Sequence, residues 1–181
     1  VGLLASPRSS YTLQTRPGAD MRGLEPNDRA FAGVLPPFGL ACRYVIDPDE
    51  KGQVLAVSGQ SLRNLDDGQL TALFNDNFVI LDGEAMETLV DMGRGDLAGL
   101  RSVEAVDLTQ PVDFLERVVN GRRYLGASRA RLSMAYGASM YYRAEYIDES
   151  SVDVYTRAVN PEGQDRGPVI AVYGGRVLLF P

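Results

Sequence analysis

Two short apolar runs, each followed by a turn and a helical stripe, constrain this chain more than any other feature. Residues 53–57 read QVLAV and residues 77–81 read NFVIL, and polar or glycine residues end both runs. Runs of this kind are typical of strands buried on both faces of a sheet. Because parallel neighbours need a crossover connection, two such strand–turn–helix units in succession predict an α/β fold with parallel strand pairing.

The helix after each run carries its own start signal. Asp66 stands three residues before Gln69, which is the spacing of a capping box. In the second unit, Asp82-Gly83 is a turn, and Asp82 and Glu84 stand at the amino end of the next helix. We interpret these acidic residues as helix caps, because a helix amino end favours negative charge. The apolar stripes of the two helices are Leu70, Leu73 and Phe74, and then Ala85, Met86, Leu89 and Val90.

The remaining segments favour strands. We predict a helix that ends before Pro36-Pro37, a second short helix over 111–119, and a compact hairpin turn at Gly174-Gly175. The expected architecture is a single α/β domain over residues 1–181, with a mainly parallel sheet flanked by helices and an antiparallel extension near the carboxyl end. The other predicted strands cover residues 1–5, 40–46, 130–135, 140–146, 152–159, 168–173 and 176–180.

The composition excludes several kinds of chemistry. The chain has no histidine and one cysteine, Cys42, so an imidazole base, a His-ligated metal and an internal disulfide are all excluded. The net charge of −6 makes nucleic acid a poor partner. No apolar run approaches the ~18 residues that cross a bilayer, so no membrane partner is expected. We also expect no cofactor, and the cellular compartment stays open.

Both ends of the sequence are strand-like, which bears on domain organisation. Natural termini usually carry a few loosely held residues. We therefore expect this chain to be a domain cut from a longer polypeptide, and the removal of a leader or tag is the alternative.

A ligand crevice is predicted where strands meet turns at their carboxyl ends, the usual binding edge of an open parallel sheet. The segment 6–12, SPRSSYT, suggests hydroxyl and amide contacts to a phosphate such as that of FMN, but prolines and glycines follow it where a helix should begin. A surface or interface loop is therefore the default interpretation. The candidate crevice residues are Ser6, Ser9, Ser58, Gly59, Gln60 and Asp82.

The segment from Val54 to Leu100 resembles the class I glutamine-amidotransferase-like, flavodoxin-like domains that accompany the catalytic barrel of some glycoside hydrolases. The beta-galactosidase trimerisation domain is one of these. The resemblance rests on LDDGQL at 65–70, LDGEA at 81–85 and the terminal RVLLFP. It implies a flavodoxin-like fold and a place in a larger, carbohydrate-active bacterial protein, with other domains of that polypeptide and further copies of the chain as partners.

An active amidotransferase needs a cysteine on a strained strand-to-helix turn and a histidine to activate it. This chain has no histidine, and Cys42 lies in LACRY, without flanking glycines. We therefore expect a non-catalytic accessory or oligomerisation domain, with no catalytic residue and no activity of its own. Two alternatives stay open: a module that binds a sugar, nucleotide or FMN in the crevice, and an enzyme that uses carboxylates alone.

Overall fold

The computed structural model describes residues 1–4, 31, 35–45, 51–59, 61–107, 115–121, 123–130, 140–160 and 162–180. Within these ranges the chain forms eleven strands and two α-helices, with short 3-10 turns between them. The helices are α1 (Asp67–Asp76) and α2 (Gly83–Asp91). The strands are β1 (Gly2–Leu4), β2 (Arg43–Val45), β3 (Val54–Val57), β4 (Phe78–Asp82), β5 (Leu100–Asp107), β6 (Leu115–Val118), β7 (Ser128–Ala130), β8 (Met140–Tyr146), β9 (Val152–Val159), β10 (Asp165–Tyr173) and β11 (Val177–Phe180).

Nine of the described strands form one sheet, in the order β2-β1-β3-β4-β11-β10-β9-β6-β7. The pairs from β2 to β11 are parallel, and those from β11 to β7 are antiparallel. Strands β5 and β8 pair with each other in a separate antiparallel sheet. The fold is therefore α/β with a mixed sheet. The expected antiparallel extension is present, but it is as large as the parallel half.

Strand β11 lies between the parallel half and the antiparallel half of the sheet, although it is the last of the described strands in the sequence. It lies parallel to β4, with Leu179 opposite Leu81, and antiparallel to β10. Residues 83–176, which include α2 and six strands, are thus inserted between two neighbouring strands of the sheet. The junction depends on contacts between residues that are far apart in the sequence.

The parallel strands bury both of their faces, as their apolar sequences predict. On one face Leu55, Val57 and Leu81 pack into the main core together with α1, α2 and the β5–β8 sheet. On the other face Ala56 and Ile80 pack with Leu3 and Phe31 in a second, smaller core. Both faces of the parallel strands therefore carry buried apolar side chains.

The sequence located the first two strand–helix units correctly. Asp66 caps α1: its side chain accepts from the Gln69 amide at 2.8 Å, and the Gln69 side chain accepts from the Asp66 amide at 3.1 Å. Asp82 caps α2 by accepting from the Ala85 amide at 2.8 Å, without the reciprocal bond of a capping box. The interpretation of both acidic residues as caps is confirmed.

The helix predicted over 111–119 is wrong where the structure describes it. Residues 115–118 form strand β6, held between β7 and β9. Leu115, Val118 and Val119 have a helical spacing, but tertiary pairing overrides this local pattern. Strand β5 was not predicted from the sequence. Most of the helix expected before Pro36 and of the strand expected at 130–135 lies outside the described residues.

The first residue of α2, Gly83, lies directly under the ring of Tyr142 from β8. A Cβ atom at Gly83 would overlap the Cγ and Cδ2 atoms of that ring. Because Gly83 has no side chain, the second sheet can pack closely against the amino end of α2.

We expect Gly83→Ala to lower the free energy of unfolding by about 1–3 kcal/mol, because the added methyl group overpacks this contact. Urea denaturation of the full chain measures the loss. In a Tyr142→Gly background, which removes the ring and also the Tyr142 Cβ atom that would stand 2.9 Å from the added methyl group, the same substitution should be neutral or slightly stabilising, because alanine favours the helix by up to ~1 kcal/mol. An equal cost in both backgrounds would contradict this account.

Candidate functional site

The structure brings together three of the six candidate crevice residues. Ser58 and Gly59 follow β3, and Asp82 ends the adjacent strand β4, so all three lie at the carboxyl edge of the parallel strands. Ser6, Ser9 and Gln60 lie outside the described residues. We call the arrangement of Ser58, Gly59 and Asp82 the edge site.

The Asp82 carboxylate is the centre of the edge site. Its Oδ1 atom accepts from the amide of Ala85 at 2.8 Å, and the Gly59 amide donates to both oxygens at 3.1 and 3.2 Å. The Ser58 side chain forms a further hydrogen bond with it. The same carboxylate therefore caps α2 and holds the turn after β3 against it.

The other side of the β3 turn is also tied to α2. Gly59 has a φ of +59°, a left-handed conformation that suits glycine, and its carbonyl accepts from the Thr88 hydroxyl at 3.4 Å. Thr88 is buried on α2. Both the amide and the carbonyl of Gly59 are thus used within the fold.

Burial raises the pKa of Asp82 to about 6, although its hydrogen bonds to Ala85, Gly59 and Ser58 act in the opposite direction. A carboxylate withdrawn from water favours its neutral form, and the nearby charge of Glu84 adds to this effect. Among the described residues, Asp82 has the chemistry closest to that of a general acid or base. Its oxygens, however, point at backbone amides of its own chain.

Tyr142 completes the surroundings of the edge site. Burial, together with the charges of Glu84, Glu87 and Asp82, raises the pKa of Tyr142 to about 12. Sequence reasoning missed this residue because β8 lies far along the chain. Gly83, which follows Asp82, was the available sequence signal for this contact, since a glycine often marks a close approach of another part of the molecule to the backbone.

The Ser61 hydroxyl is a buried polar group near this edge without a hydrogen-bond partner among the described residues. Ser61 is buried, its amide donates to the Ser58 carbonyl at 3.4 Å, and its Oγ has no hydrogen-bond partner among the described residues. Buried hydroxyl groups nearly always have a partner, so this atom can accept or donate one more bond.

The cysteine lies at the other edge of the sheet. Cys42 immediately precedes β2, is half-buried beside the second core, and donates to the Leu40 carbonyl at 3.4 Å. It lines an open cleft of about 520 Å³ at the amino ends of β1, β2 and β3. A nucleophile elbow would require the carboxyl end of a strand, so this location does not match an amidotransferase nucleophile.

In comparisons with known proteins, the sequence matches no family model, no curated protein and no solved structure. Within the described ranges, no group of three or more His, Cys, Asp or Glu side chains is placed to bind a metal ion. In the same ranges no helix combines the length and apolar character that a membrane crossing requires.

The position of Asp82 predicts a specific pH dependence. Its pKa is raised from 3.8 to about 6 on folding, so the folded state binds the proton more tightly. The stabilisation is complete below pH 3.8 and is lost as the pH rises through about 6. Asp82→Asn keeps an oxygen for the Ala85 amide but cannot ionise.

We therefore expect the difference in unfolding free energy, Asp82→Asn minus wild type, to increase between pH 4 and 7 by about 1–3 kcal/mol and then to level off. Urea denaturation of both proteins across this range measures it. Other titrating groups are common to the two chains and cancel. A difference that does not change with pH would contradict the burial of this carboxylate.

Proposed function

We propose that this chain is a non-catalytic accessory domain of a larger, carbohydrate-active bacterial protein, where it braces the catalytic domain, contributes an oligomer interface, or both. The resemblance of 54–100 to amidotransferase-like domains suggests the kind of parent. The chemistry of the edge site supports the absence of catalysis.

The observation that carries the proposal is the use of Asp82. In an open parallel sheet the active crevice lies at the carboxyl ends of the strands. In this chain the residues at that edge bond to one another, because the Gly59 and Ala85 amides both donate to the Asp82 carboxylate. A group with this role is structural. The missing imidazole and the location of Cys42 support the same conclusion.

The strand order supports a flavodoxin-like origin for the parallel half. Reading β11 as the fifth strand, the order β2-β1-β3-β4-β11 corresponds to the 2-1-3-4-5 order of doubly wound sheets of that type. We propose that the antiparallel strands are an elaboration inserted before the fifth strand.

We expect the isolated chain to release no ammonia from glutamine and to hydrolyse no aryl glycoside. Sensitive coupled and chromogenic assays measure both reactions, with Cys42→Ala and Asp82→Asn as matched controls. Turnover that either substitution abolishes would contradict a non-catalytic role. The encoding reading frame should also contain a catalytic barrel, and a frame without one would count against the proposed parent.

A second candidate function is the binding of a small molecule at the edge site. The unpartnered Ser61 hydroxyl favours it, because this buried group lies beside the β3 turn. A serine hydroxyl suits the hydroxyl groups of a sugar or the phosphate of a nucleotide.

For this second function, thermal shift with a panel of sugars, nucleotides and FMN is the direct test. A ligand at 100 times its Kd should stabilise the fold by about 2.7 kcal/mol. Ser61→Ala should reduce the response without unfolding the chain. No stabilisation across the panel would remove the support for this function.

A further inference from the structure

Two exposed apolar surfaces of opposite charge lie outside the edge site. The first is the basic hairpin, which we define as the described residues 117–121 and 123–130, including the end of β6, β7 and the turn between them. The second is the acidic turn, residues 145–153, which connects β8 to β9. Each combines apolar side chains with charges of one sign.

The basic hairpin exposes large apolar side chains. Tyr124 and Leu125 at its tip are 60% and 68% exposed. Val119 donates its amide to the Tyr155 carbonyl, and these two side chains are 37% and 40% exposed. Exposed apolar groups that cluster and are bordered by charges usually mark an interaction surface.

The charge of this segment is one-sided. The sequence from 117 to 130 contains four arginines and no acidic residue, in a chain whose net charge is −6. Arg117 is exposed and lies opposite Arg157, which pairs with Asp165 at 2.6 Å, and Arg123 lies over the Tyr124 ring at 5.6 Å. Arginine and tyrosine are the residues most enriched in protein interfaces.

The acidic turn has the complementary pattern. Residues 144–156 contain four acidic residues and no basic one, and Ile147 is 51% exposed in their midst. Glu149 and Asp153 are both exposed. Among the described residues, neither of these carboxylates forms an ion pair, and neither does Arg117 or Arg123.

We propose that the basic hairpin of one copy of this chain binds the acidic turn of a second copy. Opposite charges fix the orientation of such a contact, and the apolar groups at its centre supply the burial energy. Leu125 and Tyr124 would pack against Ile147, with Arg117 and Arg123 facing Glu149 and Asp153. This inference rests on the proposed accessory and oligomerisation role and assigns that role a surface.

Two charge-reversal variants of the full chain test the contact. One carries Arg117→Glu with Arg123→Glu, and the other carries Glu149→Lys with Asp153→Lys. Sedimentation velocity should show reversible self-association of the wild type, weakened at least about tenfold in either variant alone. Mixing the two variants should restore association, because each retains the surface that the other lacks.

Apolar substitutions give an independent readout. Leu125→Ser and Ile147→Ser should each weaken association, whereas Leu40→Ser should not, since Leu40 is 43% exposed but lies before β2. Circular dichroism and thermal melts show that each variant is folded. Raising the salt to about 1 M, where the Debye length falls to about 3 Å, should also weaken the assembly.

Three results would overturn the inference. The first is a wild type that stays monomeric at every concentration. The second is association that none of the variants changes; it would point to another surface and leave the accessory role intact. The third is a wild type that does not self-associate but binds an oligonucleotide, with this binding lost in the arginine variant. The hairpin would then be a binding surface for a polyanion. Failure of the accessory role would instead appear as catalytic turnover.

Discussion

The carboxyl edge of the parallel strands depends on one carboxylate. Asp82 is withdrawn from water, and an ionised carboxylate in that setting is costly unless donors surround it. The amides of Gly59 and Ala85 and the hydroxyl of Ser58 supply those donors. As a result, one side chain links the turn after β3, the end of β4 and the start of α2, and the hydrogen bond from Thr88 to Gly59 adds a second link between that turn and α2.

Under the proposed non-catalytic role, Asp82 serves the fold although it lies at a typical catalytic position. A general base must direct a free lone pair at its substrate. Asp82 directs its oxygens at its own backbone, and Tyr142 packs over the neighbouring glycine. The raised pKa is then a consequence of burial in a structural role. A perturbed carboxylate thus becomes evidence for a reaction only when its hydrogen-bond partners have been identified.

The parts of the fold that could be predicted from sequence are those that local rules determine. Short apolar runs and helical stripes, together with capping residues such as Asp66, located β3, α1, β4 and α2. The antiparallel half was harder. Strand β6 pairs with β9 about forty residues later, so no local pattern indicates its partner, and its apolar spacing suggests a helix. The edge site was predictable for Ser58, Gly59 and Asp82, which follow strands directly, but not for Tyr142, which another sheet brings to it.

The two charged surfaces were not recognised for a related reason. Four arginines in one segment are visible in the sequence, but the relation of that segment to Tyr155 and the acidic turn depends on the β6–β9 pairing. Both surfaces belong to the antiparallel half, whereas the edge site belongs to the parallel half. Self-association and ligand binding would therefore use separate parts of the molecule.

The place of β11 has a consequence for biosynthesis. During translation β4 is complete long before its neighbour β11, so the edge of β4 that β11 covers stays unpaired until residues 177–180 have been synthesised. A bare edge of this kind is a template for unwanted pairing with other chains. Long-range closure also slows folding, since the loop entropy is lost before the contacts form. A chain cut short before β11 should therefore expose this edge and be prone to aggregation.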